Sequence, residues 1–226
     1  MKTKISLLFV AILCNGLGSA ITYQTKLGMS AYGASAANIS NYLPGVTPGI
    51  AFILISAVMY IAAVLIHKKI TWIDFLGSLL FLLLFSSVLD LFIMIIPQME
   101  FWPLVLRVLM NIIGLLILLL GIAVHLKVNI AVHPMDVFLK VMQEDVFKSV
   151  VKGTYFSYGL AFIIAIIFGL LNGQITDIGF GTLFILTLGG VIMSFYNRFV
   201  LKNINIGASL DTQKNLNQVE QPTIQE

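Results

Sequence analysis

Six apolar runs, each about as long as a helix needs to cross roughly 30 Å of hydrocarbon, occupy residues 5–23, 48–66, 72–96, 101–124, 154–171 and 180–200. No other feature constrains the chain so tightly. In lipid the backbone polar groups must be satisfied within the spanning segment, so each run is predicted to be a helix. A soluble core of this size needs a polar shell, but the polar residues come in short clusters between the runs. Charged residues are 10% of the chain and hydrophobic ones 59%, against about 25% charged in soluble domains. The expected class is therefore an all-α membrane protein with the lipid bilayer as its solvent. The net charge of +3 is not accompanied by a basic run interleaved with aromatics, so no nucleic acid partner is expected. Cys14, the one cysteine, excludes an internal disulfide or a CxxC site and reads as a small core residue.

The excess lysine and arginine instead report topology. With the N-terminus inside, Lys2, Lys4, Lys68, Lys69, Lys127, Lys140, Lys148, Lys152, Arg198, Lys202 and Lys214 fall on the cytoplasmic side, Lys26 falls outside and Arg107 lies within a span. The positive-inside rule then favours both termini in the cytoplasm and six spans. Residues 1–20 also imitate a secretory signal with a small-residue cleavage site, Leu17-Gly18-Ser19-Ala20. Asn15 and Gly16 interrupt its apolar core, and losing one span would put the ends on opposite sides, so a retained first span is preferred to a cleaved one. Residues 202–226, rich in Asn, Gln and Thr, are expected to be a disordered cytoplasmic tail.

Two polar stretches break the pattern after spans one and four. Ser30 precedes a run of small residues (Ala31, Gly33, Ala34, Ser35, Ala36, Ala37) stopped by Pro44-Gly45, which predicts a short, closely packed helix. Thr47-Pro48 then reads as an N-cap with proline at the first helical position. Asn129 to Asp136 leads into a second short amphipathic segment, Val137 to Phe147. Sliding the chain by roughly 104 positions sets Leu27-Gly28-Met29-Ser30 on Ile130-Ala131-Val132-His133, and Leu76-Gly77-Ser78-Leu79 on Phe180-Gly181-Thr182-Leu183. Residues 1–96 and 97–201 would then be two three-helix repeats, and an odd number of spans makes them inverted. On this reading Ser30 and His133 start helices on opposite faces of the membrane.

On these residues the chain resembles the YczE/YyaS/YitT group of bacterial integral membrane proteins over about residues 8–201. Members show Leu-Gly-x-Ser-Pro-x-Asp after the first span, a related motif after the fourth, and Gly-x-Gly-Thr before the last. Here the first copy keeps Gly28 and Ser30 but has Ala31 and Gly33 in place of Pro and Asp. The second keeps Pro134 and Asp136 with His133 where serine is usual, and Gly179-Phe180-Gly181-Thr182 matches. The resemblance implies a bacterial integral membrane protein for which transport is the suspected activity. Ser-Pro-x-Asp is a helix-starting device, the cap side chain accepting from backbone N–H groups and the Asp bonding back. Aimed into a polar cavity, such a start could bind an anion or polar group; otherwise it is a well-capped surface helix.

Asp90 and Arg107 are ionisable residues inside spans three and four. Each lies at a similar distance, roughly 12 Å, from the intervening turn if the two helices pack antiparallel. They are expected to pair, as a polar pathway or as a lock between the two spans. His67, His125 and His133 are too scattered for a metal site, and His133 reads as a solvated loop histidine. Tyr155, Tyr158 and Trp72 read as interfacial anchors. Gly179, Gly181 and Thr182 read as a helix-packing motif, lacking the strand and lysine of a nucleotide loop. No Ser-His, Asp-Asp or HExxH constellation lies in the spans, so neither enzymatic activity nor a cofactor is expected. The leading reading is a small permease or exporter of an unknown small solute, with small-residue helix faces that permit a homo-oligomer. The alternative is a non-transporting accessory or regulatory membrane protein of a biosynthetic or signalling complex.

Overall fold

A computed structural model of the chain describes residues 2–67, 72–128 and 133–202; the expected tail, the loop lysines Lys68 and Lys69, and the first four residues of the Asn129 stretch lie outside them. The described residues are helical throughout their ordered elements: α1 (Lys2–Thr25), α2 (Ala31–Tyr42), α3 (Pro48–His67), α4 (Trp72–Ile95), α5 (Leu104–Val128), α6 (Pro134–Val141), α7 (Val150–Leu171) and α8 (Phe180–Phe195). π-Helical turns, Met142–Val146 and Tyr196–Val200, extend α6 and α8. Six helices are long and apolar enough to cross a membrane. The fourth runs to Val128, so His125 and Lys127, read from sequence as part of a polar loop, belong to its last turn.

α1 sits between α4 and α5 and packs along both. Small residues permit that closeness. A Cβ on Gly18 would lie 2.5 Å from the Leu118 nitrogen, and one on Gly16 2.6 Å from Val88. α2 lies against α7 and α3, α6 lies against α3 and α7, and α8 rests on α5. One apolar cluster draws Ile12, Ile39, Phe52, Met59, Phe85 and Phe138 together, so the two halves of the sequence share a core.

The short helices do not lie on the surface. Let the near end of the bundle be where α1 begins. The C-terminal end of α2 is at the far end, where Tyr42 meets Phe168 near the end of α7 (ring centroids 5.6 Å) and Asn41 bonds Thr176. Its first turn reaches Tyr158, about 12 Å from the near start of α7 at 1.5 Å per residue. The limb of residues 26–30 thus dips into the bundle, and α2 climbs back out. α6 runs the opposite way. His133 lies between the rings of Phe81 and Phe85, at 5.5 and 5.8 Å, while the helix it starts ends at the near face, where Asp145 meets His67 at 2.5 Å. The expectation of helix starts on opposite faces is therefore corrected. Both starts are inside, because a 12-residue helix is too short to cross and its small, buried face packs best against other helices.

Candidate functional site

The limb of residues 26–30 is held by three elements. Arg107 donates from Nε and a terminal nitrogen to the Thr25 carbonyl, at 3.0 and 2.8 Å. Asn111, fully buried, donates to Thr25 Oγ1 (2.8 Å) and to the Gly28 carbonyl (3.0 Å). The limb also exchanges backbone bonds with the start of α8: Met29 N–H to the Asp177 carbonyl at 3.0 Å and Gly181 N–H to the Leu27 carbonyl at 2.9 Å. Gly28 takes φ +114°, a conformation open to glycine, and Cβ atoms on Gly28 or Gly181 would strike backbone across the contact. The structure thus brings Gly28 together with Gly179, Gly181 and Thr182 as a backbone-on-backbone seam. Lys26 Nζ lies 3.5 Å from Asp177, whose side chain is fully covered. Burial raises the Asp177 carboxyl above the usual carboxylate range, with the Lys26 charge pulling the other way.

Asp90 and Arg107 are not partners. Asp90 accepts from Thr47 Oγ1 (2.5 Å) and from the Gly49 N–H (2.8 Å), while Thr47 itself caps α3 by accepting from the Ile50 N–H. Arg107 closes the C-terminal end of α1, as above. Both charges sit where helix dipoles favour them, the anion at an N-terminus and the cation at a C-terminus. The expected pair assumed that α4 and α5, adjacent in sequence, pack as a hairpin; α1 lies between them instead.

The polar chemistry of the interior gathers elsewhere. Ser30 caps α2, accepting from the Gly33 N–H at 3.2 Å. In α6 the cap is His133, whose Nδ1 accepts from the Met135 N–H at 3.2 Å. A lone pair on Nδ1 means a neutral ring, and burial, aided by His125, lowers the His133 pKa. His133 is thus corrected from a solvated loop residue to a half-buried capping one. His125, buried, stacks on Phe81 at 4.3 Å and places Nδ1 3.9 Å from the Asp136 carboxylate. The Asp136 charge reaches the hydroxyls of Tyr32 and Tyr158, whose rings meet edge to face at 5.6 Å. Tyr158 is therefore interior and not an interfacial anchor, whereas Tyr155 is 76% exposed.

Asp136 itself does not bond back to His133 as the helix-starting device requires; among the described residues its carboxylate meets only His125. Withdrawal from water raises its pKa, and His125 opposes the rise. Yet 34% of its side-chain surface is uncovered, although α2, α5 and α7 all bring polar groups to it. The hydroxyls of Tyr32 and of wholly buried Ser157 face each other and have no further hydrogen-bond partner among the described residues. These groups together form a polar cluster inside the bundle. Sequence reading missed Tyr32, His125, Ser157 and Tyr158 as site residues, since they come from three separate segments. The signal available was a short run of small residues between two spans that begin and end on one face.

These features define a multi-pass α-helical membrane protein with two half-length helices folded into its interior. The chain belongs to the family described as a family of unknown function (DUF6198), which matches residues 2–198. It is also similar to "Uncharacterized protein YyaS" of Bacillus subtilis (strain 168), 28% identical over 189 residues that cover 83% of this chain and 89% of that one. The YyaS-like resemblance drawn from the motifs thus stands on the whole chain. No solved structure matches.

Proposed function

We propose that the protein is a small membrane transporter that binds its solute at the polar cluster between the starts of α2 and α6. The observation that carries this reading is Asp136, inside the bundle without a hydrogen bond among the described residues, beside the Tyr32 and Ser157 hydroxyls, which have only each other. Intramembrane polar groups left open in this way mark solute and ion paths. Discontinuous helices meeting within the bilayer are the usual way transporters build such a site.

The packing supports an inverted repeat. Exchanging α1 with α5, α2 with α6, α3 with α7 and α4 with α8 turns the α2–α7 contact into α6–α3 and the α1–α4 contact into α5–α8, while α1–α5 maps onto itself. Such a pair of repeats permits alternating access by rocking about the central α1–α5 contact. The topology proposed from the lysine count puts the near end in the cytoplasm of a bacterial cell. A Ser157→Cys variant on a Cys14→Ala background tests the reading. Labelling with a membrane-impermeant maleimide is expected from each side of sealed vesicles, and protection from both sides, with no solute moved by reconstituted protein, refutes it and favours an accessory role.

A further inference from the structure

We propose that Asp136 binds a monovalent organic cation, a protonated amine on an apolar body, with the rings of Tyr32 and Tyr158 beside the charge. This inference rests on the site described above and specifies what the site takes. Its first support is an imbalance of charge. Asp136 lies inside the bundle, and the basic group at ion-pair distance is His125, 3.9 Å away. His133 is neutral, since its Nδ1 accepts a hydrogen bond. Lys140, on the same helix, is exposed and faces Glu144 at 4.0 Å. Among the described residues no lysine or arginine meets Asp136, so His125 balances its charge only when that ring is protonated, and beside a neutral His125 the carboxylate is open to a proton or a cation from outside the chain.

The second support is that the site is not built for an anion. The start of α6 has little to offer one: Pro134 has no N–H, the Met135 N–H is bonded to His133 Nδ1, and the Asp136 and Val137 N–H groups go to the His133 carbonyl. In α2 the Gly33 and Ala34 N–H groups are bonded to Ser30. What remains open is an acceptor, the carboxylate, beside the hydroxyls of Tyr32 and Ser157, which have only each other. Aromatic faces attract cations: Phe81 from α4 stacks on His125 and meets His133 edge to face, while Tyr32 from α2 and Tyr158 from α7 meet each other edge to face within range of the Asp136 charge. α3, packed on α6, adds the apolar Ile55 and Met59 to the same cluster, which suits an apolar body. A proton and the cation compete for one carboxylate, so uptake of one releases the other.

The test uses the full chain in lipid nanodiscs and two probes of similar shape and opposite charge, phenylethylammonium and phenylpropionate, in equilibrium dialysis. Saturable binding of the ammonium is expected, about tenfold or more weaker in Asp136→Asn, and weakening from about pH 8 to about pH 5 as the proton competes. His125, Tyr32, Tyr158 and His133 are the other titratable groups facing the carboxylate, and Tyr32→Phe is expected to keep the pH dependence. The preference for cation over anion is read on the unaltered protein, so it stands even if Asp136→Asn does not fold. No saturable ammonium binding, equal binding of phenylpropionate, or Asp136→Asn binding as tightly as the native chain each overturns the proposal. Binding of the ammonium without its movement in proteoliposomes overturns the transport reading and leaves the site; movement of a neutral or anionic solute independent of Asp136 does the reverse.

Discussion

Gly181→Ala probes the seam between the limb and α8 most directly. The added Cβ would lie 2.2 Å from the Gly28 carbonyl oxygen and 2.4 Å from Asn111 Oδ1, so the limb must retreat by about 1 Å to restore van der Waals contact. That retreat loosens the Gly181 N–H bond to the Leu27 carbonyl and the Asn111 bond to the Gly28 carbonyl, each contributing about 1 kcal/mol net. Overpacking adds about 1–3 kcal/mol, and better helix propensity returns about 1 kcal/mol. The net loss is about 3 kcal/mol, which for a chain of this size lowers Tm by about 10 °C. The assay is thermal unfolding in detergent followed by size-exclusion recovery. Gly190→Ala is the control, because its Cβ meets nothing within 4 Å, and its Tm should be unchanged or slightly raised. A Gly181→Ala protein as stable as the Gly190→Ala protein would refute the close-contact reasoning.

The separation of Asp90 from Arg107 predicts additivity: Asp90→Ala and Arg107→Met should each destabilise by about 2 kcal/mol, and the double variant by their sum within about 0.5 kcal/mol. A coupling well above that in a thermal-shift cycle would restore the pair. Thr47→Val and Asp90→Ala, which touch, should instead be strongly non-additive. Asn38, fully buried, donates to the Ala34 and Thr176 carbonyls and accepts from the Thr176 N–H; Asn38→Ala leaves buried backbone groups unpaired and should cost about 2–3 kcal/mol. For Asp177 the folded pKa is raised, so the native state holds the proton more tightly than the unfolded chain. Its favourable contribution is complete below the ordinary aspartate pKa and is lost as pH rises through the folded value. Asp177→Asn should flatten that part of the stability-versus-pH curve, and an unchanged curve counts against the assignment.

Legibility differed sharply between the helices and the site. The six spans could be read because apolar length is a local property, and Pro48, Phe180 and the residues around them mark starts that the structure keeps. The two short helices were readable for the same reason, from Ser30 and Pro134. Asp90 and Arg107 were legible as costly residues but not as to their partners, since adjacency in sequence suggested a hairpin that α1 interrupts. His133 shows a different limit: a histidine after an unresolved choice between loop and interior looks the same in one dimension, and only the rings of Phe81 and Phe85 reveal that it is enclosed.

The sequence by itself determined that this is a lipid-embedded helical protein, how many helices can span, and where the intervening helices begin. Hydropathy and capping act over a turn or a span, so they are written locally. Packing in three dimensions settles that the short helices fold inward and that Asp136 meets His125 close to the Tyr32–Tyr158 pair. That meeting depends on how closely α1 packs on α4 and α5, and on a limb that glycine allows to bend at Gly28. These are properties of backbones in contact across more than a hundred residues, and no periodicity in one segment encodes them.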